Sequence, residues 1–123
     1  MEKQSSVIRR KLRRRNRSKK TSRYNKNYLR LVVYRSLKHF EAQIIDDFKS
    51  KTVLSASSRD KNLKTKLKKV KNKTDVSRIV GEALAKKAKK NNIEMAVLDR
   101  NGYPYHGRVK AFADSVRENG LKL

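Results

Sequence analysis

Residues 98–109 take the chain from a strand into a helix through one tight reversal, which constrains the fold more than any other stretch. The apolar run Met95–Leu98 predicts a short buried strand. Asn101-Gly102 is a typical turn dipeptide, and Pro104 fixes its own φ angle. Apolar residues at helical spacing, and a glycine where a helix would stop, follow at Val109, Phe112, Ala113, Val116 and Gly120. We therefore expect a strand, a sharp turn and a helix in this order.

The 100–108 loop, which makes this turn, concentrates side chains that suit nucleic acids. Its aromatic, histidine and arginine residues are Arg100, Tyr103, Tyr105, His106 and Arg108. A helix N-terminus presents unpaired N–H groups, so Gly107-Arg108 is a candidate position for a phosphate. The rings suit stacking on bases or ribose and equally suit covering the core, and the sequence leaves both interpretations open.

The composition points to a polyanionic partner. The 123 residues contain 35 Lys and Arg against 11 Asp and Glu, a formal net charge of +24. Self-repulsion on this scale costs stability unless a polyanion neutralises it, which makes nucleic acid the leading partner. The chain has no Cys, which excludes disulfides and thiolate metal sites. No apolar run approaches the roughly 20 residues of a membrane span, and no secretory signal is recognisable.

The charge is concentrated in two blocks that alternate with nearly neutral ones. Residues 1–30 contain 13 basic residues and one acidic residue, and residues 58–92 contain 13 and three. Residues 31–57 and 93–123 each have a net charge of only +1. Because the first block contains so few apolar residues, we expect residues 1–27 to form a basic arm that is disordered in the free protein.

The arm favours arginine, which grips phosphates with two parallel hydrogen bonds and stacks on bases. Arg and Lys are good helix formers, so the arm is expected to be able to become helical on a polyanion. A solvated tail and an organellar transit peptide are the alternatives. Its candidate nucleic-acid-binding residues are Arg9, Arg10, Lys11, Arg13, Arg14, Arg15 and Arg17.

Residues 28–123 predict one globular α/β domain. Tyr28–Tyr34, His39–Ile45 and Lys51–Ala56 have β-branched, aromatic or alternating patterns, and their short links predict an antiparallel meander. An amphipathic helix with Thr74 as its N-cap should lead to the strand at Met95. This order predicts a mixed sheet, in which a right-handed crossover adds the fourth strand parallel to a neighbour.

Between the third strand and that helix lies a stretch crowded with lysine. Leu63, Leu67 and Val70 form one thin apolar stripe. The sequence leaves open whether the stretch is a solvated surface helix or a second contact with a polyanion.

Residues for catalysis or metal binding are not grouped in this sequence. His39 and His106 lie on different predicted elements, and neither has a spaced Cys, His or acidic partner. Asp46, Asp47 and Asp99 fall near strand ends, where turns are the favoured interpretation over a two-metal nuclease. We therefore predict no enzyme, no cofactor, no metal and no small-molecule substrate.

Several blocks closely resemble one known family. The 99–109 segment reads Asp-Arg-Asn-Gly-Tyr-Pro-Tyr-His-Gly-Arg-Val, and Arg117-Glu-Asn-Gly-Leu121 follows it. Ile8-Arg-Arg10, Leu31-Val-Val-Tyr-Arg35, His39-Phe-Glu-Ala-Gln-Ile-Ile45 and Val80-Gly-Glu-Ala83 precede it in order. Together they resemble the bacterial large-subunit ribosomal protein eighteen family, whose members bind 5S ribosomal RNA, and the match covers nearly the whole chain.

The resemblance implies a ribonuclease-H-like core without catalysis, in a structural protein of the ribosome. We expect a cytoplasmic ribosome, and an organellar ribosome is the alternative. It implies binding to 5S rRNA in the central protuberance, beside 23S rRNA and neighbouring proteins that include the fifth large-subunit protein. A basic nucleoid or DNA-packaging protein is the alternative, although a compact loop of rings and arginines favours irregular RNA. Beyond the arm, the implied RNA-binding residues are Arg30, Arg35, His39, Arg100, Tyr103, Tyr105, His106, Gly107 and Arg108.

Overall fold

The computed structural model describes residues 2–18 and 29–123. The remaining arm residues, Met1 and 19–27, lie outside the described residues, as does Tyr28, with which the first predicted strand begins. The helices are α1 (Glu2–Ser18), α2 (Lys64–Lys68), α3 (Lys73–Lys90) and α4 (Arg108–Glu118), with one 3-10 turn at Lys61–Leu63. The strands are β1 (Leu29–Arg35), β2 (Phe40–Asp46), β3 (Lys51–Ser57) and β4 (Ala96–Asp99).

The four strands form the predicted mixed sheet, in the order β3-β2-β1-β4. β1 pairs antiparallel with β2, and β2 pairs antiparallel with β3. β4 pairs parallel with β1, with Val32 opposite Asp99. The mixed α/β architecture is thus confirmed, and the predicted strands are displaced by at most one residue at each described end.

The core lies between one face of the sheet and the helices α3 and α4. Alternate strand residues point into it, because successive side chains of a strand face opposite ways. The largest buried apolar side chains from the sheet and the two helices are Leu31, Val33, Phe40, Ile44, Val80, Leu84, Val109, Phe112 and Val116. On the other face, Tyr34, Gln43 and Ser55 are exposed.

Helices α3 and α4 pack closely because Gly81 has no side chain. A Cβ atom there would lie 2.8 Å from the carbonyl oxygen of Phe112 and 3.1 Å from the Cβ of Ser115. The Ser115 hydroxyl donates a 2.7 Å hydrogen bond to the carbonyl of Arg78 across the same contact. This contact sets how closely α4 lies against α3.

The N-terminus of α3 differs from the prediction, and the C-terminus of α4 agrees with it. Asn72, not Thr74, is the N-cap of α3, and its side chain accepts a hydrogen bond from the Thr74 amide. The prediction of Thr74 was wrong because an Asn two residues earlier offers the same kind of acceptor. Gly120 ends α4 as predicted, with φ +101°, and the Leu121 amide donates to the carbonyl of Val116.

Within residues 5–17, helix α1 contributes no side chain to the core. All its side chains from residue 5 to residue 17 are exposed, including the apolar Val7, Ile8 and Leu12. The helix agrees with the expectation that the arm can become helical, and disorder of the free arm stays a prediction.

Candidate nucleic-acid interface

The 100–108 loop begins with a turn that is fixed by Asp99. Asp99 Oδ1 accepts a 2.8 Å hydrogen bond from the Asn101 amide, and the Tyr103 amide donates to the Arg100 carbonyl at 3.0 Å. Asn101 and Gly102 both have positive φ, at 54° and 82°. Only a few residue types adopt this conformation, Asn and Gly foremost, so the predicted Asn101-Gly102 turn is confirmed.

Tyr103 packs against the core, which is one of the two roles that the sequence leaves open for the rings, and its contact with RNA stays a prediction. Its half-buried ring packs against the core, and its hydroxyl lies 3.4 Å from both the backbone nitrogen and the carbonyl oxygen of Arg35. The Arg35 guanidinium stacks 4.8 Å from the ring centroid. Tyr103 therefore joins the end of β1 to the 100–108 loop.

Tyr105, His106 and Gly107 lie on the exposed part of the loop. The Tyr105 hydroxyl accepts a 2.7 Å hydrogen bond from Arg117 of α4, whose guanidinium lies 6.0 Å from the ring centroid. A Cβ atom on Gly107, which has φ +59°, would meet no atom within 4 Å. The backbone at the start of α4 is thus open to a ligand, as the phosphate prediction requires.

The Arg108 side chain binds backbone carbonyls within the domain. It donates 2.7 Å and 2.9 Å hydrogen bonds to the carbonyls of Ser36 and His39, and its guanidinium lies 5.6 Å from the centroid of Phe40. Burial lowers its pKa, and the nearby charge of Arg35 lowers the pKa further. Arg108 therefore braces the β1–β2 turn against α4, and its terminal nitrogens already have acceptors.

The Arg30 side chain also has partners within the domain, in this case two carboxylates. It pairs with Asp47 at 3.0 Å and with Asp99 at 2.8 Å. Burial by itself lowers the Arg30 pKa, but hydrogen bonds and charges from the two carboxylates outweigh burial and raise the pKa overall.

The predicted turn around Asp46 is confirmed too, because its Oδ1 accepts from the amides of Phe48 and Lys49.

His39 is half-buried at the turn between β1 and β2. Its Nδ1 lies 3.0 Å from the Ser58 hydroxyl, which also accepts a hydrogen bond from the Phe40 amide. His39 and Arg35 therefore lie close to the 100–108 loop through Arg108 and Tyr103, and Arg30, near the start of β1, reaches the beginning of the same loop through Asp99.

The arm meets the 100–108 loop at its turn. Arg15 Nε donates a 3.1 Å hydrogen bond to Asn101 Oδ1. A Cβ atom on Gly102 would lie 3.2 Å from the Arg15 backbone nitrogen, so the two backbones approach closely. The sequence analysis recognised Asn101 as a turn residue but missed its second role as the acceptor for the arm, because hydrogen bonds between distant segments leave no local pattern.

A cleft of 760 Å³ opens between α1 and the 100–108 loop. Three arginines line it, Arg14 and Arg17 from the arm and Arg100 from the loop, and Leu98, Tyr103 and Pro104 form its apolar wall. Arg14, Arg17 and Arg100 form no side-chain hydrogen bond or ion pair with another described residue. The remaining arm candidates, Arg9, Arg10, Lys11 and Arg13, are exposed along the same helix.

Within residues 2–18 and 29–123, no three or more His, Cys, Asp or Glu side chains are grouped so that they could hold a metal ion. No helix in the same residues is long and apolar enough to cross a membrane.

The fold and this surface define a small, strongly cationic α/β protein that presents arginines from a helical arm and a strand-to-helix loop. The family model described as ribosomal L18 of archaea, bacteria, mitochondria and chloroplasts matches residues 1–123. The chain therefore belongs to the ribosomal L18 family.

Its curated relatives carry the name large ribosomal subunit protein uL18. The Thermus thermophilus protein is 53% identical over 115 residues, which cover 94% of this chain and 93% of the relative. The Chloroherpeton thalassium protein is 54% identical over 94 residues, covering 76% and 77%, respectively. The Staphylococcus haemolyticus protein is 53% identical over 94 residues, covering 76% of each chain.

Proposed function

We propose that this protein is a structural component of the large ribosomal subunit that binds 5S rRNA and helps attach it to 23S rRNA in the central protuberance. Family membership supports a role in the ribosome. The names of the relatives support the large subunit. The proposal places the protein in the cytoplasm, on the ribosome, and takes 23S rRNA and the fifth large-subunit protein as neighbours from the family resemblance.

The contact between α1 and the 100–108 loop is the observation that carries the proposal. Arg15 and Asn101 are 86 positions apart, yet their hydrogen bond brings the two segments with the strongest RNA-binding pattern onto one surface. The cleft between them combines three arginines with an apolar wall. Like charges gathered without counter-charges repel each other, so an anion stabilises the arrangement.

The chemistry of this surface favours structured RNA over duplex DNA. Arginine binds phosphates and stacks on bases, and Tyr105 offers an exposed ring. Sequence-specific RNA recognition uses unstacked bases and irregular backbone, which such mixed surfaces fit. A DNA-packaging protein would need little more than cationic contacts and wedges for the minor groove.

A competition assay tests the proposal. Labelled 5S rRNA bound to the full chain is challenged with unlabelled 5S rRNA or with duplex DNA of equal length at about 0.2 M salt, where non-specific contacts are weakened. We expect duplex DNA to compete much less well than 5S rRNA. Equal competition would contradict the proposal and favour the DNA-packaging protein.

Single substitutions localise the contact. Arg100→Ala removes an exposed cation of the cleft, and Lys90→Ala removes an exposed cation at the end of α3. We expect Arg100→Ala to weaken binding to 5S rRNA about tenfold, the usual effect of one lost charged contact. Lys90→Ala should have a much smaller effect, because it lowers the net charge equally without touching the cleft.

A further inference from the structure

The lysine segment, residues 61–73, is the strongest charged patch that the proposed interface does not include. It contains seven lysines and no acidic residue, namely Lys61, Lys64, Lys66, Lys68, Lys69, Lys71 and Lys73. All seven are exposed. Of these seven, only Lys66 ion-pairs with a described residue, at 3.9 Å from Glu82, and Lys86 approaches the same carboxylate to 2.8 Å. The positive charge of this segment is therefore almost unneutralised by acidic side chains of the described residues.

The segment is anchored to the domain and is not a loose tail. Leu63 is only 8% exposed, and Leu67 and Val70 are half-buried beside it. The chain enters the segment through a braced turn, where the Asp60 carboxylate accepts from the Ser57 amide at 3.1 Å. The apolar stripe recognised in the sequence thus holds the lysines in place, which lowers the entropy that a bound ligand must remove.

The sheet topology places this segment beside the proposed interface. β1, β3 and β4 run in the same direction, because β3 and β1 are both antiparallel to β2 and β4 is parallel to β1. Their carboxyl ends therefore share one end of the sheet. The 36–39 turn, the lysine segment and the 100–108 loop follow these three strands, respectively.

The spacing across that end suits one RNA molecule. β3 and β4 are the two outer strands, separated by β2 and β1. With strands about 4.8 Å apart, three spacings put roughly 14 Å between the outer strands. The exposed Lys38 and half-buried Arg35 lie at the turn between the two flanks. A cationic surface thus runs along the whole end of the sheet.

The residue types identify what the segment recognises. Lysine is a flexible point charge that attracts phosphates, whereas arginine also reads shape through its planar fork. Residues 58–73 include no aromatic side chain that could stack on a base. Such a surface follows the sugar-phosphate backbone and is indifferent to sequence.

We propose that the lysine segment is a second RNA site, which binds the sugar-phosphate backbone of the same RNA that occupies the 100–108 loop and the arm. The inference rests on the proposed function for the identity of that RNA. The loop and arm supply selectivity, and the lysine segment extends the contact along the backbone.

The test compares two variants with equal loss of charge. The test variant carries Lys64→Gln, Lys66→Gln, Lys68→Gln and Lys69→Gln. The control variant carries Lys49→Gln, Lys51→Gln, Lys90→Gln and Lys122→Gln, which replace exposed lysines outside the three segments at this end of the sheet. Binding of each full chain to 5S rRNA is measured from about 0.1 to 0.5 M salt, and unfolding midpoints verify the fold.

We expect the test variant to lower the magnitude of the log–log salt slope by about 1.5 or more, since each phosphate contact contributes roughly 0.7 to 0.9. Affinity at about 0.2 M salt should fall about tenfold, and the control should change both quantities much less. Equal changes in the two variants would overturn the proposal, because general electrostatic attraction would then explain both.

Hydroxyl-radical footprinting of 5S rRNA gives a second readout. The proposal expects one protected stretch of backbone to be lost in the test variant and retained in the control. An identical footprint for the two variants would overturn it. A different result would contradict the proposed function itself. In that case the unmodified protein would not distinguish 5S rRNA from duplex DNA, whatever the variants do.

Discussion

Arg30 Nη1 lies 2.8 Å from Asp99 Oδ2, and this ion pair ties the start of β1 to the end of β4. Asp99 is only 1% exposed, so the pair is largely removed from water. The second oxygen of Asp99 accepts from the Asn101 amide, and the Asn101 side chain accepts from Arg15. A residue that the resemblance assigned to RNA therefore supports, through Asp99, the turn on which the arm rests.

The first prediction concerns this ion pair. Arg30→Ala leaves Asp99 buried without its counter-charge, and breaking such a pair typically costs about 3–5 kcal/mol. We expect the free energy of unfolding in urea to fall by about that amount at pH 7. Asp47→Ala is the matched control, because it removes the more exposed partner and leaves the buried pair intact. Equal losses in the two variants would contradict the importance of Asp99.

The second prediction distinguishes the role of Arg108 in stability from the role of Arg100 in RNA binding. Arg108→Ala leaves the carbonyls of Ser36 and His39 without their donor, so we expect it to cost about 1–3 kcal/mol of stability. Arg100→Ala should leave the unfolding midpoint nearly unchanged and weaken RNA binding. Urea unfolding and RNA affinity are measured on both variants. A stable Arg108→Ala protein with selectively lost RNA binding would assign Arg108 to the interface instead.

Local sequence patterns predicted the elements well. Alternation in β2, the helical stripe of α4 and the Asn101-Gly102 turn each depend on neighbours in the chain, and each was found as expected. The antiparallel and parallel pairings followed from the order of the elements and the lengths of their links. The N-cap of α3 was misplaced because Asn72 and Thr74 are both good caps, and only the geometry chooses between them.

The roles of the arginines were less predictable. Arg30, Arg100 and Arg108 are chemically identical in the sequence. In the fold, however, Arg30 binds carboxylates and Arg108 binds backbone carbonyls of residues that are distant in the chain. Which acceptors lie nearby depends on tertiary packing, so composition and spacing cannot distinguish a bracing arginine from a binding one. The implied ribonuclease-H-like core and the RNA contacts themselves stay predictions from the resemblance.

The third prediction concerns the contact between α3 and α4. Replacing a helical glycine with alanine normally stabilises a helix by up to about 1 kcal/mol. At Gly81 the added Cβ would lie 2.8 Å from backbone oxygen, which cannot move without displacing α4. We therefore expect Gly81→Ala to destabilise the protein by about 1–3 kcal/mol in urea unfolding. A stabilising effect would show that the two helices separate easily.

The fourth prediction is a pH dependence at Glu82. A hydrogen bond from Lys86 lowers its pKa; burial partly opposes this, and the charges of Lys66 and Lys86 add to the lowering. Because the folded pKa is lowered, the stabilisation is present above the unfolded value, near 4.5, and is lost as pH falls through the folded value. Glu82→Gln should therefore cost about 0.3–0.5 kcal/mol at pH 7 and progressively less as the pH falls below the unfolded value.

Urea unfolding at pH 7, 5 and 3 checks the pH dependence. The same substitution in a Lys86→Gln background provides the control, since the largest contribution to the shift is then already absent. A pH-independent cost of Glu82→Gln, or an undiminished cost in that background, would contradict the assignment to the Lys86 contact.

The last prediction concerns the order of the arm. Described α1 side chains from residue 5 to residue 17 are all exposed, and helices of this length are marginal in water without tertiary packing. Repulsion between Arg14, Arg17 and Arg100 opposes docking of the arm until RNA phosphates neutralise it. We therefore expect amides 9–17 to exchange rapidly in the free protein and slowly in the complex with 5S rRNA. Gly102→Ala should reduce that protection, because its Cβ would press on the Arg15 backbone at a φ of +82° that alanine disfavours. Slow exchange at residues 9–17 without RNA would show instead that the arm is already ordered on the domain.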